Sequence, residues 1–142
     1  MREEGEEMPK NDLVSLARQL DIVFKELEKE LSCLDSGTVF IQIRNNMIGK
    51  FGIKHNPIAG RDGEWSGPEH GLSAIQIKSF RQMAIESLKF KNHWTHGEIG
   101  YEFAVRKGLI AVDTVIESNY NMANHMIRYP RATYSDTNAE LS

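Results

Sequence analysis

A lone cysteine, Cys33, excludes any disulfide within the chain. The fold must therefore rest on its core, and the cysteine usage fits a reducing compartment. Long apolar runs are missing as well. No segment approaches the ~20 consecutive apolar residues that a membrane-spanning helix needs. The opening stretch, MREEGEEMPK, has no apolar centre of the kind a secretory leader carries. The expected location is the cytoplasm, with no membrane partner. The chain also lacks a Walker-type phosphate loop, because GRDGEWSG has no Lys-Ser/Thr ending. Paired carboxylates do not stand out either, so no cofactor and no catalytic set are expected. Were the chain an enzyme, His70, His93, His96 and Glu98 around the central loop would be the residues to examine.

What is present is one domain's worth of chain. The 142 residues carry 40% hydrophobic and 26% charged side chains, an ordinary globular balance. The net charge of -3 is unevenly spread. Residues 1–36 hold ten acidic and five basic side chains, for -5. Residues 37–100 hold eight basic and five acidic, for +3. The acidic end argues against indiscriminate binding to nucleic acid, while the basic middle suits an anionic contact. Arg44, Lys50, Lys54, Lys78, Arg81, Lys89 and Lys91 supply most of that charge, and the acidic first helix of the chain itself is a plain partner for it.

The strongest pattern lies between Asp12 and Leu34. Leu13, Ala17, Leu20, Phe24, Leu27, Leu31 and Leu34 alternate four and three apart, which places them on one stripe of a helix. The stripe is either the core face of the domain or the seam of a homodimer. Leu20, Phe24, Leu27 and Leu31 are accordingly candidate protein-contact residues. Asn11 or Asp12 would cap the helix, and Cys33 at its end reads as a small buried hydrophobe. Residues 1–10 read as a disordered acidic tail, 11–129 as one globular domain and 130–142 as a polar tail.

Thr38 to His55 reads as a β-hairpin with its turn at Asn45-Asn46, since Asn tolerates positive φ. Asn56 to Gly71, with two prolines and four glycines, reads as a long loop. Trp65 within it is either a plug that pins the loop or an exposed binding residue. Ser73 and Gln76 form a capping-box pattern before an apolar stripe of Ile77, Phe80, Ala84 and Leu88. Thr95 and Glu98 repeat that pattern, which predicts a third helix from His96 to about Lys107, stopped by Gly108. Leu109 to Tyr129 suits a strand at its start by composition, but its apolar spacing over the full length predicts a fourth helix. The expected fold is α+β, mostly helical, with about four helices and one β-hairpin between the first and second.

Two constellations carry possible chemistry. Residues 95–128 have the layout of a helix-turn-helix, with Ala104, Gly108 and Thr114-Val115 near the required spacing. Its second helix would present Asn119, Asn121, Asn124, His125 and Arg128 to DNA bases. His93, His96 and Glu98 are potential metal ligands, but on a helix His96 and Glu98 point to different faces, so no metal site is expected. The expected function is a small cytoplasmic regulatory protein, homodimeric, working through contacts with another protein: an adaptor, inhibitor or modulator. Trp65 and the first helix would make those contacts. A DNA-binding regulator using residues 95–128 is the alternative.

Overall fold

A computed structural model describes residues 14–128. The two tails at 1–10 and 130–142, and the capping candidates Asn11 and Asp12, lie outside the described residues. The chain runs α1 (Leu16–Leu31), β1 (Ser36–Arg44), β2 (Met47–Lys54), β3 (Ala59–Arg61), β4 (Glu64–Ser66), α2 (Ala74–Ser87), a 3-10 turn (Leu88–Phe90), β5 (His96–Arg106), β6 (Leu109–Ser118) and α3 (Met122–Arg128). Four strands form an antiparallel sheet in the order β2-β1-β5-β6, and β3 and β4 form a separate ribbon. Among the described residues, no helix is long and apolar enough to cross a membrane.

The mostly helical expectation is overturned. The third helix is absent and the fourth survives only in its last part, as α3: His96–Arg106 and Leu109–Ser118 are the two strands of a hairpin. The reason lies in the spacing. Ile99 and Phe103 are four apart, a separation that fits both a helix face and a strand face, since four is a multiple of the strand period. Tyr101 and Val105 resolve the ambiguity. Ile99, Tyr101 and Phe103 are buried and Val105 packs beside them, which is strict alternation. Gly108 does not end a helix. Together with Lys107 it forms a two-residue turn with both φ angles positive, +54° and +78°, the geometry that matches strand twist in tight hairpins.

The Asn45-Asn46 turn has the same form, with φ of +51° and +61°. Ser15 caps α1, its hydroxyl accepting from the Arg18 amide. The Ser73–Gln76 capping box is present in full at the start of α2. Both long helices lie on one face of the sheet. Phe80 of α2 meets Phe24 of α1 edge-on at 4.9 Å and Phe103 of β5 at 4.9 Å, so one aromatic side chain joins both helices to the sheet. Gln19 fastens α1 to the first hairpin. Its side-chain oxygen accepts from the Ile48 amide at 2.7 Å, and its nitrogen donates to the Asn46 carbonyl at 3.0 Å.

Candidate protein-interaction surfaces

Leu20, Phe24, Leu27 and Leu31 are core residues. Their exposures are 0%, 1%, 7% and 0%, and they pack against the sheet and α2. A dimer seam along this stripe would require opening the domain, so the structure assigns these four to packing. Cys33, expected to be buried, is exposed at the end of α1. The acidic helix does meet the basic middle of the chain, through an ion pair between Asp21 and Arg81 that bridges α1 and α2.

Trp65 is the opposite case. It is 75% exposed and stands on β4, so the plug reading fails. The stretch read as loop contains a small ribbon, β3 and β4, closed by Asp62-Gly63 with φ of +51° and +78°. Asp-Gly between short extended segments is a strong hairpin signal, and it was legible in RDGE. Trp65 pairs across the ribbon with Gly60. The indole lies over the glycine so closely that a Cβ there would sit 2.8 Å from the ring. Every residue from His55 to Gly71 is exposed, so this is an arm held away from the core.

The arm is anchored at its roots. Asn56 Nδ2 donates to Ser36 Oγ at 2.8 Å, and the Glu69 amide donates to Asp35 Oδ2 at 3.4 Å. His55 Nε2 stands 2.6 Å from Glu30 Oε2. Gly71 approaches the Ser32 carbonyl so closely that no side chain fits between them, and the next amide, of Leu72, donates to the Leu31 carbonyl. Both ends of the arm are thus tied near the C-terminal end of α1, while its tip is free to meet a partner.

The outer sheet face, turned away from the helices, is charged in two halves. Lys50 and Lys54 of β2 flank the Phe40 ring, at 6.0 and 5.5 Å from its centroid. Glu98 and Glu102 of β5 pair in register with Glu117 and Asp113 of β6. At one end a cleft of about 580 Å³ is lined by Gln42, Arg44, Met47, Lys50, His96 and Glu98, among others. His96 and Glu98 are two apart on a strand, not on a helix, so they share this face. Glu98 is engaged by Gln42 at 3.3 Å. Among the described residues, no three His, Cys, Asp or Glu side chains are grouped to hold a metal ion. His93 is exposed in the loop before β5, and His70 at the arm's root.

The helix-turn-helix expectation for residues 95–128 falls with the two strands. Asn119 follows β6, its amide donating to the His96 carbonyl. Asn121 caps α3 by accepting from the Ala123 amide at 2.8 Å, and His125 Nδ1 stands 3.1 Å from the Asn121 carbonyl. The side chains of Asn124 and Arg128 lie outside the described residues. A seven-residue α3 after a strand is not the second helix of a helix–turn–helix pair.

No family model, no curated protein and no solved structure matches this chain. The surfaces themselves therefore carry the functional reading.

Proposed function

We propose that this chain is a small cytoplasmic regulatory protein that works through contact with another protein, as an adaptor, inhibitor or modulator, and that the Trp65 arm makes the contact. One observation carries the reading: a tryptophan 75% exposed on an anchored ribbon outside the core. Exposed large aromatics on a preorganised element are costly to leave in water and supply large contact area when covered, which is why Trp dominates interface hot spots. The I′ turn and the Gly60–Trp65 pairing hold the indole in place beforehand, which lowers the ordering cost of binding. The unpaired, exposed thiol of Cys33 supports the cytoplasmic setting.

The test is site-directed photo-crosslinking in the source cells. A photoreactive amino acid at position 65 is expected to trap one defined protein. The same probe at Ile75, equally exposed at 79% on α2, is expected not to. Identical products from both sites, or none from position 65, would overturn the proposal. Trp65→Ala in the purified protein should leave the fold intact and abolish binding of the trapped partner.

A further inference from the structure

The two edges of the main sheet are protected unequally. β2 carries a register irregularity opposite Ile41–Ile43, with Gly49 and Lys50 in the bulging strand, and Lys54 at its end. Bulges and lysines are the devices by which edge strands avoid pairing with other chains. β6 carries none of them. Leu109–Ser118 reads LIAVDTVIES, without Pro, Gly, Lys or Arg, and its register with β5 is unbroken from Arg106↔Leu109 to Gly97↔Ser118. Leu109, Val115 and Ile116 are exposed at 73%, 54% and 36%. Among the described residues, β6 has one strand neighbour only.

We propose that the free edge of β6 pairs with the β6 edge of a second copy of this chain, antiparallel and centred on Thr114. This does not depend on the identity of the Trp65 partner.

Register follows from hydrogen bonding and charge. The two-residue turn makes Arg106 and Leu109 the first hydrogen-bonded pair of the β5–β6 hairpin. Alternation then turns the amides and carbonyls of Ile110, Val112, Thr114, Ile116 and Ser118 toward the free edge. Thr114 opposite its own copy sets Val112 against the copy's Ile116, and Ile110 against the copy's Ser118, so each outward amide from Ile110 to Ser118 gains a partner. On the outer face Asp113 meets Val115 and Glu117 meets Ala111, so no acid faces an acid. Moving the centre to Asp113 or to Val115 would set Asp113 against itself or against Glu117, which like-charge repulsion opposes. On the inner face, half-buried Val112 and exposed Ile116 extend the core row across the junction. A two-fold of this kind leaves both pairs of long helices on the same side of one eight-stranded sheet.

The experiment is sedimentation over a concentration series, with variants at two positions. Wild type is expected to dimerise. Thr114→Pro removes an outward amide without touching the β5 ladder, and should leave a folded monomer. Val115→Asp sets acid against Asp113 of the copy and should weaken the dimer on the order of tenfold, since two symmetric pairs change at once. Val115→Lys should strengthen it. In a Cys33→Ser background, Thr114→Cys should form a symmetric disulfide, because paired residues in that register lie about 5.5 Å apart. A wild type that stays monomeric to on the order of 1 mM, or a folded Thr114→Pro that remains dimeric, overturns the proposal. If Thr114→Pro fails to fold, the Val115 pair decides: opposite shifts sustain the pairing and equal or absent shifts overturn it. Dimerisation unchanged by Trp65→Ala would keep this result separate from the fate of the partner reading.

Discussion

The indole of Trp65 lies flat on Gly60 across the β3–β4 ribbon, with no room for a Cβ beneath it. Gly60→Ala should therefore lift the ring without disturbing the core, which the arm does not enter. Global stability is expected to change by no more than about 0.5 kcal/mol, as for surface sites. The environment of the indole should change, and partner binding should weaken. Acrylamide quenching read beside the thermal midpoint checks this. Trp94, 2% exposed, supplies the protected signal against which Trp65 is read. An unchanged quenching constant would mean the stacking does not hold the ring in solution.

Leu31 and Ile22 share α1 but have different surroundings, one fully buried and the other 45% exposed. Leu31→Ala should cost about 2–5 kcal/mol, the range for truncating a buried leucine. Ile22→Ala should stay within about 0.5 kcal/mol. Denaturant midpoints measure both. If Leu31→Ala instead dissociated a dimer and left each monomer as stable as before, the stripe would be a seam after all.

Much of the first half of the chain was legible in sequence. The 4-3 spacing of α1 has no strand reading, and Asn45-Asn46 between β-branched runs has few alternatives to a tight turn. The second half was not, because its cues fit two structures. Ile99 and Phe103 satisfy both periods, Thr95 and Glu98 imitate a capping box, and Gly108 suits a helix end as well as a hairpin. Tyr101 between Ile99 and Phe103 was the deciding residue. The arm was missed for another reason: its strands are three residues each, too short for alternation to register, so that only Asp62-Gly63 marked it. The exposure of Trp65 and the bare edge of β6 are properties of the assembled sheet, and no local pattern encodes them.

Gly97 faces two neighbours at once. A Cβ there would run into the Trp94 ring on one side and the Glu117 carbonyl on the other. The ring is locked in the core and the carbonyl belongs to the β5–β6 ladder, so neither yields cheaply. Gly97→Ala should cost about 1–3 kcal/mol, as overpacking does. Gly49→Ala, where no atom lies within 4 Å of the new carbon, should be near neutral. Parallel urea titrations of the two variants check the contrast, and equal midpoints would refute it.

Tyr101 supplies a pH signature for the core. Its ring is fully buried, and burial pushes the phenol up to about 12 from its ordinary 10.0, opposed by the hydrogen bond with Ser87. Below pH 10 the hydroxyl is neutral in folded and unfolded chains alike, so it adds no slope. Between 10 and about 12 the unfolded chain releases the proton while the folded chain keeps it, so rising pH favours unfolding. The loss is at most about 1.4 kcal/mol per pH unit across that window, and it levels off above it. Tyr101→Phe keeps the ring and removes the titration. At neutral pH it should cost about 1 kcal/mol for the lost contact with Ser87, 3.0 Å away. As pH rises past 10 the variant should hold its stability better than wild type, and the two stability curves should cross before pH 12. Urea midpoints for both proteins from pH 8 to pH 12 test this. Curves that stay parallel would show that the Tyr101 hydroxyl reaches solvent in the folded chain.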